Sequence, residues 1–151
     1  IKTYLCFFNR ELMKSKGNIV FLGMMGVGKT SIGKLFSKKL KLNFFDVDNI
    51  IENKTGMKIS KIFLSKGEEF FRQIEEKITF DILKKRDCVI ALGGGAFLNN
   101  NIRKEILTNH VSFWLNCDEK ILINRIKNSQ KRPLAFNLSK PELANLIKKR
   151  W

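Results

Sequence analysis

The stretch GMMGVGKTS, Gly23 to Ser31, sets two glycines separated by four residues ahead of a Lys and a Thr. That spacing suits a backbone loop wrapped around phosphate. Glycines let the chain approach an anion closely with its N–H groups turned inward. Lys29 then brings a mobile point charge to the terminal phosphates, and the Thr30 hydroxyl is set to ligate a Mg2+ shared with phosphate oxygens. The flanks agree with this chemistry. An apolar run, NIVFL, precedes the loop, and Ile32, Leu35, Phe36 and Leu40 recur at helical spacing after it, which puts a bound phosphate on a helix N-terminus.

Other stretches carry groups of interest. In FFDVD, Asp46 and Asp48 flank Val47 at the C-terminal end of a predicted strand, where open α/β sheets hold their ligands. A period of two puts both carboxylates on one side, either as a functional pair or as a strand end that meets water. The strand CVIAL ends in GGG, where many nucleotide hydrolases carry a metal-linked Asp, so the acid must come from elsewhere and Asp46 is the nearest candidate. In GEEFFRQIEE, Arg72 and Glu75 share a helix face three residues apart, as a surface ion pair or as a guanidinium held in position. Two phenylalanines just before Arg72 place part of it against apolar surface. Gly93, Gly94 and Gly95 permit close backbone approach to a ligand and offer N–H donors. NSQKRPLA, with Arg132 fixed before Pro133, is either a plain connection or a basic lid that closes over phosphate.

These groups need a frame to hold them. Strand-like runs at NIVFLG, LNFFDVD, CVIALGGG and HVSFWLN alternate with helical patterns over 29–41, 48–54, 59–65, 68–85, 100–108, 118–128 and 141–150. Such alternation predicts an α/β fold: three α/β/α layers around a central parallel sheet with right-handed crossovers. With 151 residues, 44% of them hydrophobic, and no visible linker or repeat, residues 1–151 are expected to form a single domain with its own core. Met13 reads as the start of translation, residues 1–16 as a poorly ordered extension, and about 128–140 as the lid.

Composition narrows the function classes. No run approaches the ~20 apolar residues of a membrane span, and the opening IKTYLCFF lacks a signal-peptide cleavage pattern, so no membrane partner is expected. Cys6, Cys88 and Cys117 are an odd set without metal-type spacing and read as reduced thiols of a cytosolic protein. The net charge of +15 is spread along helices without interleaved aromatics, which points to anionic small substrates rather than nucleic acid.

Together and in this order, the motifs resemble the shikimate kinases, of the nucleoside-monophosphate-kinase-like P-loop fold, from about Asn18 to the end of the chain. The likeness lies in GMMGVGKTS, DVDNIIENKTG, GEEFFRQIEE, LGGGA, RPLA and the helix closing LIKKRW. It implies transfer of the ATP γ-phosphoryl group to the 3-hydroxyl of shikimate, on the route to chorismate and the aromatic amino acids. It further implies Mg2+ as cofactor, ATP and shikimate as partners, a monomer and a cytoplasmic location.

By the same resemblance, Gly26, Val27, Gly28, Lys29, Thr30, Ser31, Arg125 and Arg132 contact ATP. Asp48, Arg72, Gly93, Gly94, Gly95 and Arg150 hold shikimate, Glu75 supports Arg72, and Thr30 with Asp46 (through water) serves the metal. Lys29, Asp48 and Arg132 are the implied catalytic groups. Met25 and Val27 stand where small residues or Pro are common, which a backbone cradle tolerates. Family members continue into a last strand and an adenine-contacting loop that this sequence does not supply, so the sheet is expected to lack that strand. Two rival readings remain. One is a P-loop kinase for gluconate or a nucleoside monophosphate, whose base-stacking pocket Phe63 and Phe71 could imitate; the other is an inactive nucleotide- or nucleic-acid-binding fragment.

Overall fold

The structure, a computed structural model, describes residues 17–127 and 138–149. The expected N-terminal extension, residues 128–137 of the expected lid with Arg132, and Arg150 lie outside the described residues. Four short strands form one parallel sheet: β1 (Ile19–Leu22), β2 (Asn43–Asp46), β3 (Cys88–Ala91) and β4 (Val111–Trp114), in the order β2-β3-β1-β4. Helices connect them: α1 (Lys29–Leu40), α2 (Val47–Thr55), α3 (Ile59–Leu83), α4 (Asn100–Asn109), α5 (Glu119–Lys127) and α6 (Lys140–Lys149). The architecture is the α/β arrangement that the alternation predicts.

β1 is buried along its whole length, and its side chains alternate between two cores. Val20 and Leu22 join Ile51, Ile62, Phe71, Ile78, Ile90 and Ile102 on one face. Ile19 and Phe21 meet Phe36, Leu40, Phe44 and Phe113 under α1 on the other, where Phe21 stands edge-on to Phe36 with ring centroids 5.6 Å apart. A third cluster joins α5 and α6 through Leu122, Ile126, Leu143 and Ile147 to Met24 and Val27 of the glycine loop. α6 starts on a capping box in which Ser139 N donates to Glu142 Oε2 (2.7 Å) and Glu142 N to Ser139 Oγ (3.4 Å).

One boundary differs from the sequence reading. β2 ends at Asp46, whose side chain accepts from Asn49 N at 3.2 Å and starts α2 at Val47, so Asp48 sits on a helix and not on a strand. The two helices expected over 59–65 and 68–85 are both present within α3, parted as expected at the non-helical Gly67 (φ 83°, ψ 170°).

Because β1 and β3 are neighbours in register (Phe21 opposite Ala91), the loops that follow them leave the sheet side by side. Leu92 N still donates to Phe21 O at 3.1 Å, so the glycine loop after β1 and the Gly93–Gly95 strip after β3 emerge at one carboxyl end of the sheet. Gly23 makes the first possible: its φ is 128°, and a Cβ there would collide with Leu115 O.

At the opposite end, Asn18 ties the strands together. Its side-chain amide donates to Leu83 O (3.0 Å) and Lys85 O (2.7 Å) and accepts from Cys88 N (3.2 Å). Its backbone N–H donates to His110 Nδ1 at 3.0 Å. The buried imidazole must therefore be neutral with its proton on Nε2, and Glu105 Oε1, 3.6 Å from Nε2, is too far for a hydrogen bond. Burial holds His110 below its ordinary pKa against the pull of Glu105. Below about pH 6.5 the unfolded chain thus binds more protons at this site, and the stability it contributes is lost as pH falls. His110→Asn keeps an acceptor near the Nδ1 position but cannot titrate. The fall in urea midpoint between about pH 7.5 and 5.5 is expected to be smaller in this variant than in the parent; an equal fall would show that His110 carries none of it.

Candidate active site

In the glycine loop, the Lys29 ammonium lies buried and donates to Gly23 O (2.8 Å) and Met24 O (3.1 Å), which fixes it under the loop at the start of α1. Gly28 caps α1 in the left-handed conformation, and Ser31 is exposed on the first turn. Gly26 O accepts from Arg125 Nη1 at 3.4 Å, which brings an arginine from α5 to the loop although 99 residues separate them. Val27 turns its side chain away from the loop's concave side into the third cluster. This explains how the loop carries Val27 and Met24: they are its apolar anchors.

Thr30 Oγ1 donates to Asp46 Oδ2 at 2.6 Å, so the hydroxyl at the head of α1 and the carboxylate at the end of β2 meet. Hard oxygen donors of this kind suit Mg2+, which takes one or two protein ligands and completes its shell with water and phosphate. Among the described residues there is no cluster of three or more His, Cys, Asp or Glu that would hold a metal by itself.

Asp48 stands at the centre of the charge distribution. Burial pushes its pKa up to about 6, helped by the Asp46 and Glu75 carboxylates and opposed by Lys29 and Arg72. The turn from β2 into α2, rather than strand alternation, thus brings Asp46 and Asp48 to one place.

α3 contributes the second half of the site. Glu75 is buried and accepts from Arg72 Nη1 at 2.5 Å. Arg72 lies 5.2 Å from the centroid of the Phe71 ring, and Phe71 itself is buried against Phe63 with centroids 4.7 Å apart. Phe71 thus belongs to the main core, and the partly buried Phe63 packs against it. Burial works against the charged guanidinium, yet Glu75 and Glu68 hold its pKa above the ordinary value. Glu68, which sequence reasoning passed over, takes Arg72 Nε (3.2 Å) and Nη2 (3.0 Å) on one oxygen; its spacing of four residues on one helix was the available signal.

The strip after β3 closes the arrangement. A Cβ at Gly93 would collide with Glu75 Oε1 and stand 2.9 Å from Asp48 Oδ1. At Gly94 it would stand 3.0 Å from Met25 N, and at Gly95 2.8 Å from Arg72 Nη2. The structure therefore brings together Lys29, Thr30, Asp46, Asp48, Arg72, Glu75 and the three glycines, and adds Arg125 at the loop.

Comparisons with known proteins agree with the fold. A family model described as shikimate kinase matches residues 25–150. A curated shikimate kinase of Thermodesulfovibrio yellowstonii is 44% identical over 135 residues, covering 88% of this chain and 78% of the relative. One from Bartonella henselae is 38% identical over 144 residues, covering 93% of this chain and 69% of the relative. Among solved structures, a shikimate kinase from Acinetobacter baumannii in complex with shikimate superposes with a TM-score of 0.85 at 30% identity, covering 93% of this chain and 79% of that one.

A raised carboxyl pKa has a stability signature. Between the ordinary value, 3.8, and about 6 the folded chain binds the proton more tightly than the unfolded one, so Asp48 costs stability as pH rises through that window. Asp48→Asn removes the cost. Its Tm is expected to exceed the parent's above about pH 6, with the gap narrowing towards pH 4; a Tm difference independent of pH would show that the carboxyl is not perturbed.

Proposed function

The chain belongs to the shikimate kinase family, an ATP-dependent kinase family that phosphorylates shikimate, and we propose that the residues gathered at the carboxyl end of its sheet divide this reaction between them. The glycine loop from Gly26 to Ser31 cradles the ATP phosphates through backbone N–H groups, and Lys29 balances the charge of the transferring group. Arg125, already at Gly26, contacts the nucleotide. Thr30 and Asp46 would hold Mg2+, Asp46 through water; when bound, the ion neutralises phosphate charge.

Arg72, backed by Glu75, grips the shikimate carboxylate with its planar fork. Gly93, Gly94 and Gly95 let the sugar-like ring lie against the backbone. Asp48 then faces the 3-hydroxyl: as that oxygen attacks the γ-phosphorus, its proton passes to the Asp48 carboxylate and ADP departs. The observation that carries this reading is Asp48 itself, one carboxylate within electrostatic reach of Lys29 on the phosphate side and Arg72 on the acceptor side. Arg132 and Arg150 retain the roles the resemblance implies, at the transferring phosphate and at the shikimate carboxylate. The enzyme is read as a cytoplasmic monomer whose net charge of +15 serves anionic substrates rather than nucleic acid. Among the described residues no helix is long and apolar enough to cross a membrane.

ADP release measured with shikimate, gluconate, AMP and no acceptor tests the substrate assignment: turnover is expected with shikimate alone. Arg72→Ala is expected to raise KM for shikimate about ten- to a hundredfold, the worth of a charge-assisted hydrogen bond, and to leave KM for ATP in place. An unchanged KM for shikimate would remove Arg72 from the acceptor site. Because the base must be ionised, kcat/KM for shikimate should fall as pH drops through about 6, and a profile flat to pH 5 would exclude Asp48 as the base.

A further inference from the structure

Arg72 has one face through which a carboxylate can reach it two-handed, and that face is taken. Nη1 is engaged by Glu75. The Nη1/Nη2 end abuts Gly95, where even a methyl carbon would stand 2.8 Å from Nη2 and 3.0 Å from Nη1, so no carboxylate fits between them. The remaining fork is the edge formed by Nε and Nη2. There Glu68 Oε1 accepts from both, at 3.2 and 3.0 Å. The two glutamates differ in kind. The Glu75 side chain is 3% exposed and fixed within the protein, whereas that of Glu68 is 53% exposed and follows directly on Gly67, where α3 departs from helical geometry.

We propose that Glu68 is a stand-in for the substrate carboxylate: it occupies the Nε/Nη2 edge of Arg72 in the free enzyme, and shikimate binds by taking that seat while the Glu68 side chain swings into water. This rests on the reading of Arg72 as the grip on the acceptor's carboxylate. Glu68 is then an affinity-setting residue, an internal competitor whose hold on Arg72 reduces the fraction of enzyme open to the acid and raises the apparent dissociation constant by that factor. Its exposure makes it weak enough to displace, since exposed ion pairs of this spacing hold only modestly. While the site is empty it keeps the guanidinium pointed and its charge balanced.

The experiment is a direct titration of the parent, Glu68→Gln, Arg72→Ala and the double variant with shikimate, without nucleotide, alongside KM for both substrates. Glu68→Gln is expected to tighten shikimate binding and lower its KM by about two- to fivefold, the measured range for exposed pairs, with KM for ATP unmoved. Arg72→Ala is expected to weaken binding, and adding Glu68→Gln to it should then bring no gain, because the competition acts only through the guanidinium. If Glu68→Gln leaves the affinity unchanged or weakens it while Arg72→Ala still weakens it, Glu68 is a prop for Arg72 and the stand-in role is overturned, with the Arg72 assignment intact. If Arg72→Ala leaves the affinity unchanged, both fall.

Discussion

A strip of backbone with no room for a methyl group, Gly93 to Gly95, limits where Asp48, Glu75, Met25 and Arg72 can stand. Side chains from three directions close on it: Asp48 and Glu75 at Gly93, Met25 of the glycine loop at Gly94, and the Arg72 guanidinium at Gly95. Apart from Arg72 and Glu75, three residues apart on α3, none of these meets the others through sequence proximity. They meet because β3 lies between β1 and β2, so the strip it leaves behind emerges between the glycine loop and the start of α2. α3 then delivers Arg72 and Glu75 from above, held by Phe71, Ile78 and Ile82 in the main core. Sheet order thus decides which residue types can share a site, and the glycines decide how closely they do so.

The charges within that space work for position at some expense of stability. A buried carboxylate such as Glu75 needs a partner, and Arg72 is that partner, but burying both costs solvation that the ion pair only partly returns. Asp48 adds another carboxyl among Asp46 and Glu75, and its pKa is raised first by burial and then by those two neighbours. Perturbed carboxyls of this kind gather where chemistry near neutral pH requires them. On the glycine-loop side, two carbonyls of its own loop accept from the Lys29 ammonium, so backbone takes a direct part in placing that charge.

Much of this was legible in the sequence, for identifiable reasons. The four strands stood out because each is a short apolar run bounded by glycine, polar or charged residues, and the helices because their apolar residues recur at helical spacing. Lys29 and Thr30 were legible from the spacing of the glycine loop and the Arg72–Glu75 pair from helix spacing, while only the resemblance tied that pair and Gly93–Gly95 to a substrate. FFDVD misled by its alternation: Asp46 is an N-cap that accepts from the backbone N–H of Asn49, and the cue was an Asp directly ahead of a helical pattern. The contacts of Asn18 with His110, 92 residues apart, left no local trace. Glu68 was within reach of the same reasoning that found Glu75, but a second acid four residues before Arg72 looks like an ordinary surface pair until Gly95 is seen to close the other side of the guanidinium.

An exchange of carboxylates on Arg72 also bears on the base. The proton affinity of Asp48 is lowered by Arg72 and raised by Asp46 and Glu75, so any change in the net charge around the guanidinium would move it. A substrate carboxylate arriving at a bare Arg72 would cancel that cation and push the Asp48 pKa higher still, leaving the base protonated when it is needed. A substrate that replaces Glu68 substitutes one negative charge for another on the same two N–H groups, and the field at Asp48 stays nearly as it was. On the proposed reading of Asp48 as the base, its proton affinity, raised first by burial, is then not raised further by the arriving carboxylate. Under the proposal, seat exchange therefore does more than set affinity: it lets an anionic acceptor enter a site already rich in carboxylates while the field at Asp48 changes little.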